Sequence, residues 1–574
     1  MKEFITVLFL LIVSNCMAQL SFKNSATSQG VGVTYGSSTF GGGVSFCDFD
    51  NDGWDDITYA TTDGEEVYFF KNNNGVFSQI DLGINDVYRT NQVIWIDYDS
   101  DGDKDFFATS FSGFNKFYRN EGNLVFTDIT STCGLFTDNL LTNGASFGDI
   151  DNDGDLDVFI SNRDDLDPKD QYSYLYRNNN GVFEEITATA NIYLGNQLSF
   201  CSAFFDYNND GFQDIYVAND KSLNINRLYK NNNGNGTFTD VSIASGAGIA
   251  IDAMSTTIGD YNSDGWFDIY VTNTSGGNHH LKNNGDGTFT DVASGLGTGF
   301  YSIAWGAVFL DAENDADLDL YVSSSVYGSD PRLTSAFYEN QGDDTYLIPS
   351  NIGFENDNLR SFSNAIGDFN NDGLPDIIVM NDAENNFLWE NTTINSNNWI
   401  KVKLQGVTSN RDGVGSRIEC FANGKVQYRY TLNGEGYIGQ NSNTEFIGLG
   451  SATTIDYIKV TWLSGIVDLL SDVDVNQSII IVEGENILSN SDFTKKPFNI
   501  YPNPSTAIIN IELPHFSSEE LLNVYDIFGR KLKTKSLDSQ KTTINLSEFS
   551  EGVYFFKLQS DLGMSIKKVI IKKN

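Results

Sequence analysis

Seven short acidic segments punctuate the first two thirds of the chain, and their spacing is that of loops that wrap a hard cation. They read DFDNDGWDD (48–56), DYDSDGDKD (97–105), DIDNDGDLD (149–157), DYNNDGFQD (206–214), DYNSDGWFD (260–268), DAENDADLD (311–319) and DFNNDGLPD (368–376). Oxygen-bearing side chains stand at the first, third, fifth and ninth positions. These are Asp48, Asp50, Asp52 and Asp56; Asp97, Asp99, Asp101 and Asp105; Asp149, Asp151, Asp153 and Asp157; Asp206, Asn208, Asp210 and Asp214. The last three sets are Asp260, Asn262, Asp264 and Asp268; Asp311, Glu313, Asp315 and Asp319; Asp368, Asn370, Asp372 and Asp376. Alternate carboxylate and amide oxygens, a sharp turn at the sixth residue and a backbone carbonyl at the seventh make a calcium cage. The seventh residues are Trp54, Asp103, Asp155, Phe212, Trp266, Asp317 and Leu374. Asp, Asn and Gly also fill ordinary turns, but seven copies in register predict up to seven bound Ca2+ ions.

These are not EF-hands. An EF-hand needs a bidentate Glu at its twelfth position, where this chain has Tyr59, Ala108, Ile160, Val217, Val271, Val322 and Val379. The segment after each loop, such as DIYVAN (214–219), is β-branched and aromatic and reads as a strand. The ninth Asp is then both the last ligand and the first strand residue. One position departs from the pattern. Ala316 stands where six loops have Gly, and a left-handed turn costs a residue with a Cβ about 1 kcal/mol. The sixth loop is therefore expected to fill last.

Successive loops begin 49, 52, 57, 54, 51 and 57 residues apart. A period near fifty with four strand-like segments per unit is that of a propeller blade. Within each unit a Gly- and aromatic-rich strand enters the loop, a hydrophobic strand leaves it, and an aromatic strand ending in Asn comes next, as in YLYRNNNG. The seventh unit lacks its last strand after FLWENTT (387–393). The missing piece resembles LSFKNSATSQGVG (20–32), so the two ends are expected to share one blade, which removes free sheet edges. These units resemble the FG-GAP or VCBS-type repeats of integrin α-subunit propellers and many bacterial secreted proteins. The resemblance implies a seven-bladed propeller over residues 19–394, and binding or adhesion more often than catalysis.

The formal net charge is −42. Seven divalent ions would offset only a third of it, and nucleic acid, which needs a basic footprint, is disfavoured as a partner. Residues 1–18, with Lys2, an apolar run from Phe4 to Val13 and Ala18, read as a secretory signal too short to cross a bilayer as a helix. No transmembrane segment is expected elsewhere. Cys47, Cys133, Cys201 and Cys420 are scattered and read as small buried apolar residues. His279 and His280 occupy an aromatic-strand position and read as structural.

Residues 395–484 lose the acidic loops and keep a β pattern. Gly413 to Arg417, Gly434 to Gln440, Phe446 to Gly450, Trp462 to Gly465 and Asn476-Gln477 resemble the ASPIC/UnbV domain. Within it Arg417 is expected to form a structural salt bridge. Residues 485–497 are polar and read as a linker. Beyond it the charge balance flips, with twelve Lys/Arg against nine Asp/Glu from 491 to the end. YPNP (501–504), the Asp526 to Gly529 turn, Gly552-Val553-Tyr554 and the basic last strand resemble the type A C-terminal sorting domain of the type IX secretion system. That resemblance implies a β-sandwich at 498–574, the secretion machinery as partner, and a secreted or outer-membrane-surface destination. The expected fold class is all-β: a seven-bladed β-propeller with calcium loops, an ASPIC/UnbV-like β domain and a C-terminal β-sandwich. No nucleophile–base pair stands out, so no enzymatic activity is expected. The expected function is calcium-dependent binding of an extracellular glycan or protein ligand. A lyase-like polysaccharide enzyme and a structural scaffold are the alternatives.

Overall fold

The computed structural model describes residues 20–164, 172–327, 330–343, 345–486, 498–513, 520–525, 531–537, 539–560 and 563–573. The expected signal segment, the core of the linker and the turn at Asp526 to Gly529 lie outside these. Among the described residues no helix is long and apolar enough to cross a membrane.

Seven four-stranded antiparallel sheets succeed one another from residue 22 to residue 391. Their first strands are Val44–Cys47, Thr90–Ile96, Thr142–Gly148, Ser199–Phe205, Thr257–Gly259, Ala304–Leu310 and Ser361–Gly367. Each packs on the next, and the last packs on the first, so the sheets form a closed ring of blades. Strands such as Thr90–Ile96 and Thr142–Gly148 are buried at every residue. Both faces of a blade lie against neighbours, so the inner strands carry unbroken small, aromatic and branched residues. The outer strands, such as Phe238–Asp240, bury only their first residue. Closure is as expected: Phe22–Asn24 pairs antiparallel with Phe387–Asn391, with Phe22 opposite Asn391.

Residues 398–482 form a small sandwich. One sheet joins Thr444–Gly450, Asn398–Gln405 and Gln477–Val482; the other joins Lys425–Tyr430, Arg417–Ala422, Thr454–Thr461 and Val467–Asp474. Ile400, Val402, Ile418, Ile447, Ile458 and Trp462 fill the space between them. This sandwich is not a separate bead, because the chain through Ile487 is one compact unit. Its 431–443 extension leaves the sandwich and runs into the centre of the propeller ring. There Gly439–Gln440 adds a parallel strand to Val44–Ser45 of the first blade, and Gly436 bridges to Thr256 of the fifth. Tyr437 is fully buried against Phe200 and Trp305. Room for the extension comes from glycine: a Cβ on Gly43 would fall 2.4 Å from the carbonyl oxygens of Asn91 and Ile438, and one on Gly434 2.4 Å from that of Ala145.

Residues 498–573 form a second β-sandwich. A three-stranded sheet (Asn499–Tyr501, Ile508–Glu512, Lys541–Asn545) faces a four-stranded one (Lys531–Leu537, Glu520–Tyr525, Gly552–Ser560, Gly563–Ile571). Ile509, Ile511, Leu522, Val524, Phe556 and Val569 form its core, the sandwich expected from the sequence.

Gln440 is the anchor of the central extension. Its Oε1 accepts hydrogen bonds from Ser45 Oγ (2.7 Å) and Trp95 N (2.9 Å), and its Nε2 donates to Trp95 O (2.7 Å). Gln440→Ala strands two buried backbone groups and is expected to cost about 2–4 kcal/mol. The check is a lowered melting temperature with increased protease cleavage between residues 431 and 443; an unchanged melt would show that the extension does not hold the ring.

Candidate metal centres and the face they leave open

Each acidic segment joins the first and second strands of its blade, so all seven loops lie on one face of the ring. They share one hydrogen-bond scheme. The first-position carboxylate accepts from the backbone N–H of the fifth and sixth residues at 2.7–3.2 Å in every loop. The fourth residue, Asn or Ser, takes a positive φ of 55–59°. The sixth takes 84–98° in the six Gly loops and 79° at Ala316. These two left-handed residues turn the odd-numbered side chains toward one point. In three loops the ligand atoms of three carboxylates lie within 4.8 Å of one another: Asp48, Asp50 and Asp56; Asp97, Asp99 and Asp101; Asp149, Asp151 and Asp157. The seventh residues join this scheme through the backbone, as Trp54 N donates to Asp52 Oδ1 (3.1 Å) and Trp266 N to Asp264 Oδ1 (3.0 Å).

The loops fit a divalent cation on two further grounds. Asp50 Oδ1, Asp99 Oδ1 and Asp151 Oδ1, all at third positions, and Glu313 Oε2 are buried without a hydrogen-bond partner. Buried carboxylate oxygens without partners are costly unless a cation meets them. Burial also pushes the carboxyls up: Asp56 and Asp105 to about 9, Asp149, Asp260 and Asp311 to about 7, Asp206 to about 6. Neighbouring carboxylates add to the effect. In the first loop Lys71 lays its ammonium against Asp50 and, at 3.0 Å, against Asp52.

Two sets of residues that spacing did not single out complete the sites. An Asn at the end of each third strand, or one residue before it in the third blade (Asn178), donates its backbone N–H to Oδ1 of the ninth Asp at 2.7–2.9 Å in all seven blades. Its side-chain amide reaches the preceding blade's loop, as Asn72 does to Phe369 O (2.8 Å) and Asn231 to Ile150 O (2.7 Å). The fourth-position Asn donates to the turn carbonyl of the next loop: Asn51 to Gly102, Asn152 to Gly211, Asn209 to Gly265, Asn314 to Gly373 and Asn371 to Gly53. The repeated Asn of RNNNG and KNNNG was the available signal for the first set, and the fourth letter of each loop for the second.

The sandwich of residues 398–482 sits on this face and touches every loop. Lys401 Nζ lies 2.9 Å from Asp368 and Lys403 Nζ 3.0 Å from Asp48. Asp412 pairs with Lys104 and accepts from Asp97 N (3.0 Å). Thr408 O abuts Gly154, and just before the sandwich Asn395 and Asn397 donate to Glu313 O. Arg417 corrects an expectation: among the described residues it makes no ion pair, and instead donates to Asn209 Oδ1 (2.9 Å) and Gly265 O (3.0 Å) while stacking on Tyr428. It ties the fourth loop to the fifth. His280 is buried among Tyr261 and Tyr270, and burial pushes it down to about 3. His279 pairs with Asp291. All four described cysteines are buried and free.

Comparison with known proteins agrees with this layout. The FG-GAP-like repeat family matches residues 48–108, 97–160, 206–271 and 260–322. The ASPIC and UnbV family matches 406–488, and the secretion system C-terminal sorting domain matches 499–572. Cartilage acidic protein 1 of Xenopus tropicalis is 24% identical over 277 residues, 45% of this chain and 40% of that protein; the Mus musculus protein is 25% identical over 280 residues, 44% and 40%. The chain thus spans about two fifths of the length of the curated relatives it matches. Among solved structures it is similar to PorZ of the Porphyromonas gingivalis type-IX secretion system (11% identity, TM-score 0.23, 94% of this chain and 82% of that one). It is also similar to the rhamnogalacturonan lyase YesX (10%, TM-score 0.32, 78% and 92%).

The sixth loop needs a revised expectation. Ala316 is already left-handed, so its strain burdens folding and not the binding step. The loop holds five carboxyls, Asp311, Glu313, Asp315, Asp317 and Asp319, as many as the loops at 97–105 and 149–157, and Arg429 and Lys425 lie near enough to act on Asp311 and Asp317. At the position where five blades carry Lys71, Arg119, Arg177, Lys230 and Lys282, it has Glu339. Metal binding no longer meets the conformational cost, so this loop should fill together with the other five-carboxyl loops and not last. Ala316→Gly should raise the melting temperature of loaded and stripped protein alike, by about 1 kcal/mol of stability, with calcium titration unchanged. Tightening of one site without a shift in the stripped melt would restore the first expectation. The raised carboxyls also fix a sign. In stripped protein they are protonated in both states at acid pH, and stability is lost as pH rises from about 4 through 6–9. Excess calcium should reverse this, so the melting-temperature gap between loaded and desalted, chelator-stripped protein should widen from pH 5 to pH 8; a constant gap would dissociate the loops from calcium.

Proposed function

Starting from a chain that carries FG-GAP-like repeats, an ASPIC/UnbV domain and a secretion-system sorting domain, we propose a calcium-stabilised binding module rather than an enzyme. The tail directs the protein to the cell surface or extracellular space through the secretion machinery. One observation supports binding on the far side of the ring. The loop face is covered by the 398–482 sandwich, and the ring's centre is filled by the extension carrying Tyr437 and Gln440. The loops joining second to third strands, and each blade to the next, remain as the open face.

The clustered carboxylates of the seven loops would be taken up by cations, and the buried cysteines and His280 are held away from solvent by packing. Calcium at the loops would act at a distance from the ligand, by neutralising clustered carboxylates and fixing blade spacing. Asp48, Asp50, Asp52 and Asp56, with the matching sets in the other six loops, would hold the ions. Lys401 and Lys403 would then bond to the outer oxygens of Asp368 and Asp48.

The test is capture of cell-envelope and extracellular material on immobilised protein, with and without calcium. Calcium-dependent capture of a glycan or protein is expected. Turnover of an acidic polysaccharide would instead establish the lyase-like alternative, and absence of any capture would favour a scaffold. A chain ending at Asn486 should keep its calcium-dependent melt and accumulate in the periplasm of its host; surface delivery of that chain would remove the sorting role of the tail.

A further inference from the structure

Every exposed aromatic ring of the described propeller lies on the open face: Tyr88, Phe114, Phe136, Tyr193, Tyr301 and Tyr327. Four stand on blade-to-blade loops and two, Phe114 and Tyr327, on loops from second to third strands. Tyr301 is 65% exposed and Tyr193 50%. The other face is covered by the 398–482 sandwich, so the side on which the rings stand is set by that cover; what distinguishes them is how they are held.

The rings are held in place. A Cβ on Gly113 would fall 2.3 Å from the ring of Tyr88, one on Gly195 2.3 Å from that of Tyr193, and one on Gly277 2.6 Å from that of Tyr301. These rings therefore lie against bare backbone and present what remains of their surface to solvent. Phe114 meets Tyr88 edge to face, and Phe136 meets Tyr174 in the same way at 5.0 Å. Arg227 stacks on Tyr193 at 4.6 Å, and Arg360 lies 5.8 Å from the centre of Tyr327. A ring whose rotamer is fixed before binding loses little entropy when a ligand stacks on it. The six are spread over several blade junctions; at one of them Tyr301 lines a groove with Phe300, Pro331, Leu333 and Tyr346.

Charge decides which stacking ligand fits. Among the described residues the exposed charges of these loops are mostly acidic, including Asp63, Glu65, Asp138, Glu355 and Glu384, and the exposed Lys221 pairs with Asp220 at 3.0 Å. The arginines nearest the centre are engaged: Arg163 with Asp220 at 2.8 Å, Arg360 with Asp382 at 2.8 Å, and Arg89, without a carboxylate among the described residues, through hydrogen bonds to Tyr35 Oη (3.3 Å) and Ser38 Oγ (2.8 Å) and its position over Phe111. A uronate or sulfated chain would meet like charge.

We infer that the open face is a glycan platform whose ligands are uncharged polysaccharides, their apolar C–H faces stacking on the pinned rings and their hydroxyls meeting the surrounding Asn, Ser and Thr. The inference rests on the binding-module reading above and names its ligand. It is tested by affinity gel electrophoresis of the calcium-loaded protein in gels containing a β-glucan, a mannan, a galactan, polygalacturonate or alginate. Retardation by at least one neutral polymer is expected, little changed by raised salt. Tyr301→Ala or Tyr193→Ala should weaken it about tenfold, the scale of one aromatic contact, with an unchanged calcium-dependent melt. Both side chains are half or more exposed, so folding of the variants is not at stake. Retardation by the uronate polymers alone, by none of the five, or equally by the variants would overturn the inference. Capture of a protein from envelope material without any glycan binding would also overturn it, while leaving the binding-module reading in place.

Discussion

The structure depends on the ninth-position aspartate of each acidic loop. Its carboxylate accepts a hydrogen bond from an Asn at the end of the third strand, or one residue before it in the third blade, in all seven blades. In six blades its other oxygen accepts from the second residue of the loop. One buried group thereby fixes a strand start, a loop and a third strand. The Asn it binds reaches into the preceding blade, and the fourth-position Asn reaches into the next. Blade geometry and cation-site geometry are one network, so anything that stabilises the carboxylates stabilises the ring. Buried charge of this density is unfavourable without a counter-cation, which is why the loops and the fold cannot be considered apart.

The same network explains why the sandwich sits where it does. Its lysines meet first-position carboxylates, and its Arg417 joins two loops through an Asn amide and a backbone carbonyl. A basic inner surface on a strongly acidic chain has one natural docking place, the ring of acidic loops. The extension that enters the ring then replaces solvent along the axis with Tyr437, Ile438 and Gln440, all buried. The two faces of the propeller are left chemically unlike. One is charged, hydrogen-bonded and covered, and the other is polar, acidic at its rim and set with pinned aromatic rings.

Ala316 shows how a local rule and a tertiary setting divide one effect. A Cβ in a left-handed turn carries a cost whichever loop it occurs in, and the residue alone points to a poor site. Because the turn is already formed, that cost belongs to folding. What remains for binding is the charge around the loop, where Glu313, Asp317 and Glu339 all add to it.

The repeat, the loop chemistry and the closure can all be read from consecutive residues. Cation ligation demands oxygen atoms at fixed intervals along one strand of chain, and such local demands are written in consecutive letters. The period of about fifty residues, the N-terminal strand that completes the last blade, the sandwich pattern of 395–484 and the sorting tail were legible for the same reason. Tertiary structure alone decided what lies far apart in sequence. Gln440 pairs with Ser45 and Trp95 across hundreds of residues, Lys401 finds Asp368, and Arg417 binds an amide and a carbonyl where an ion pair was expected. The exposed aromatics look, as letters, like any other core residue of a β protein. Only the alternation of strand ends puts all six on one face, because each antiparallel step reverses the chain and sorts its loops into two sets.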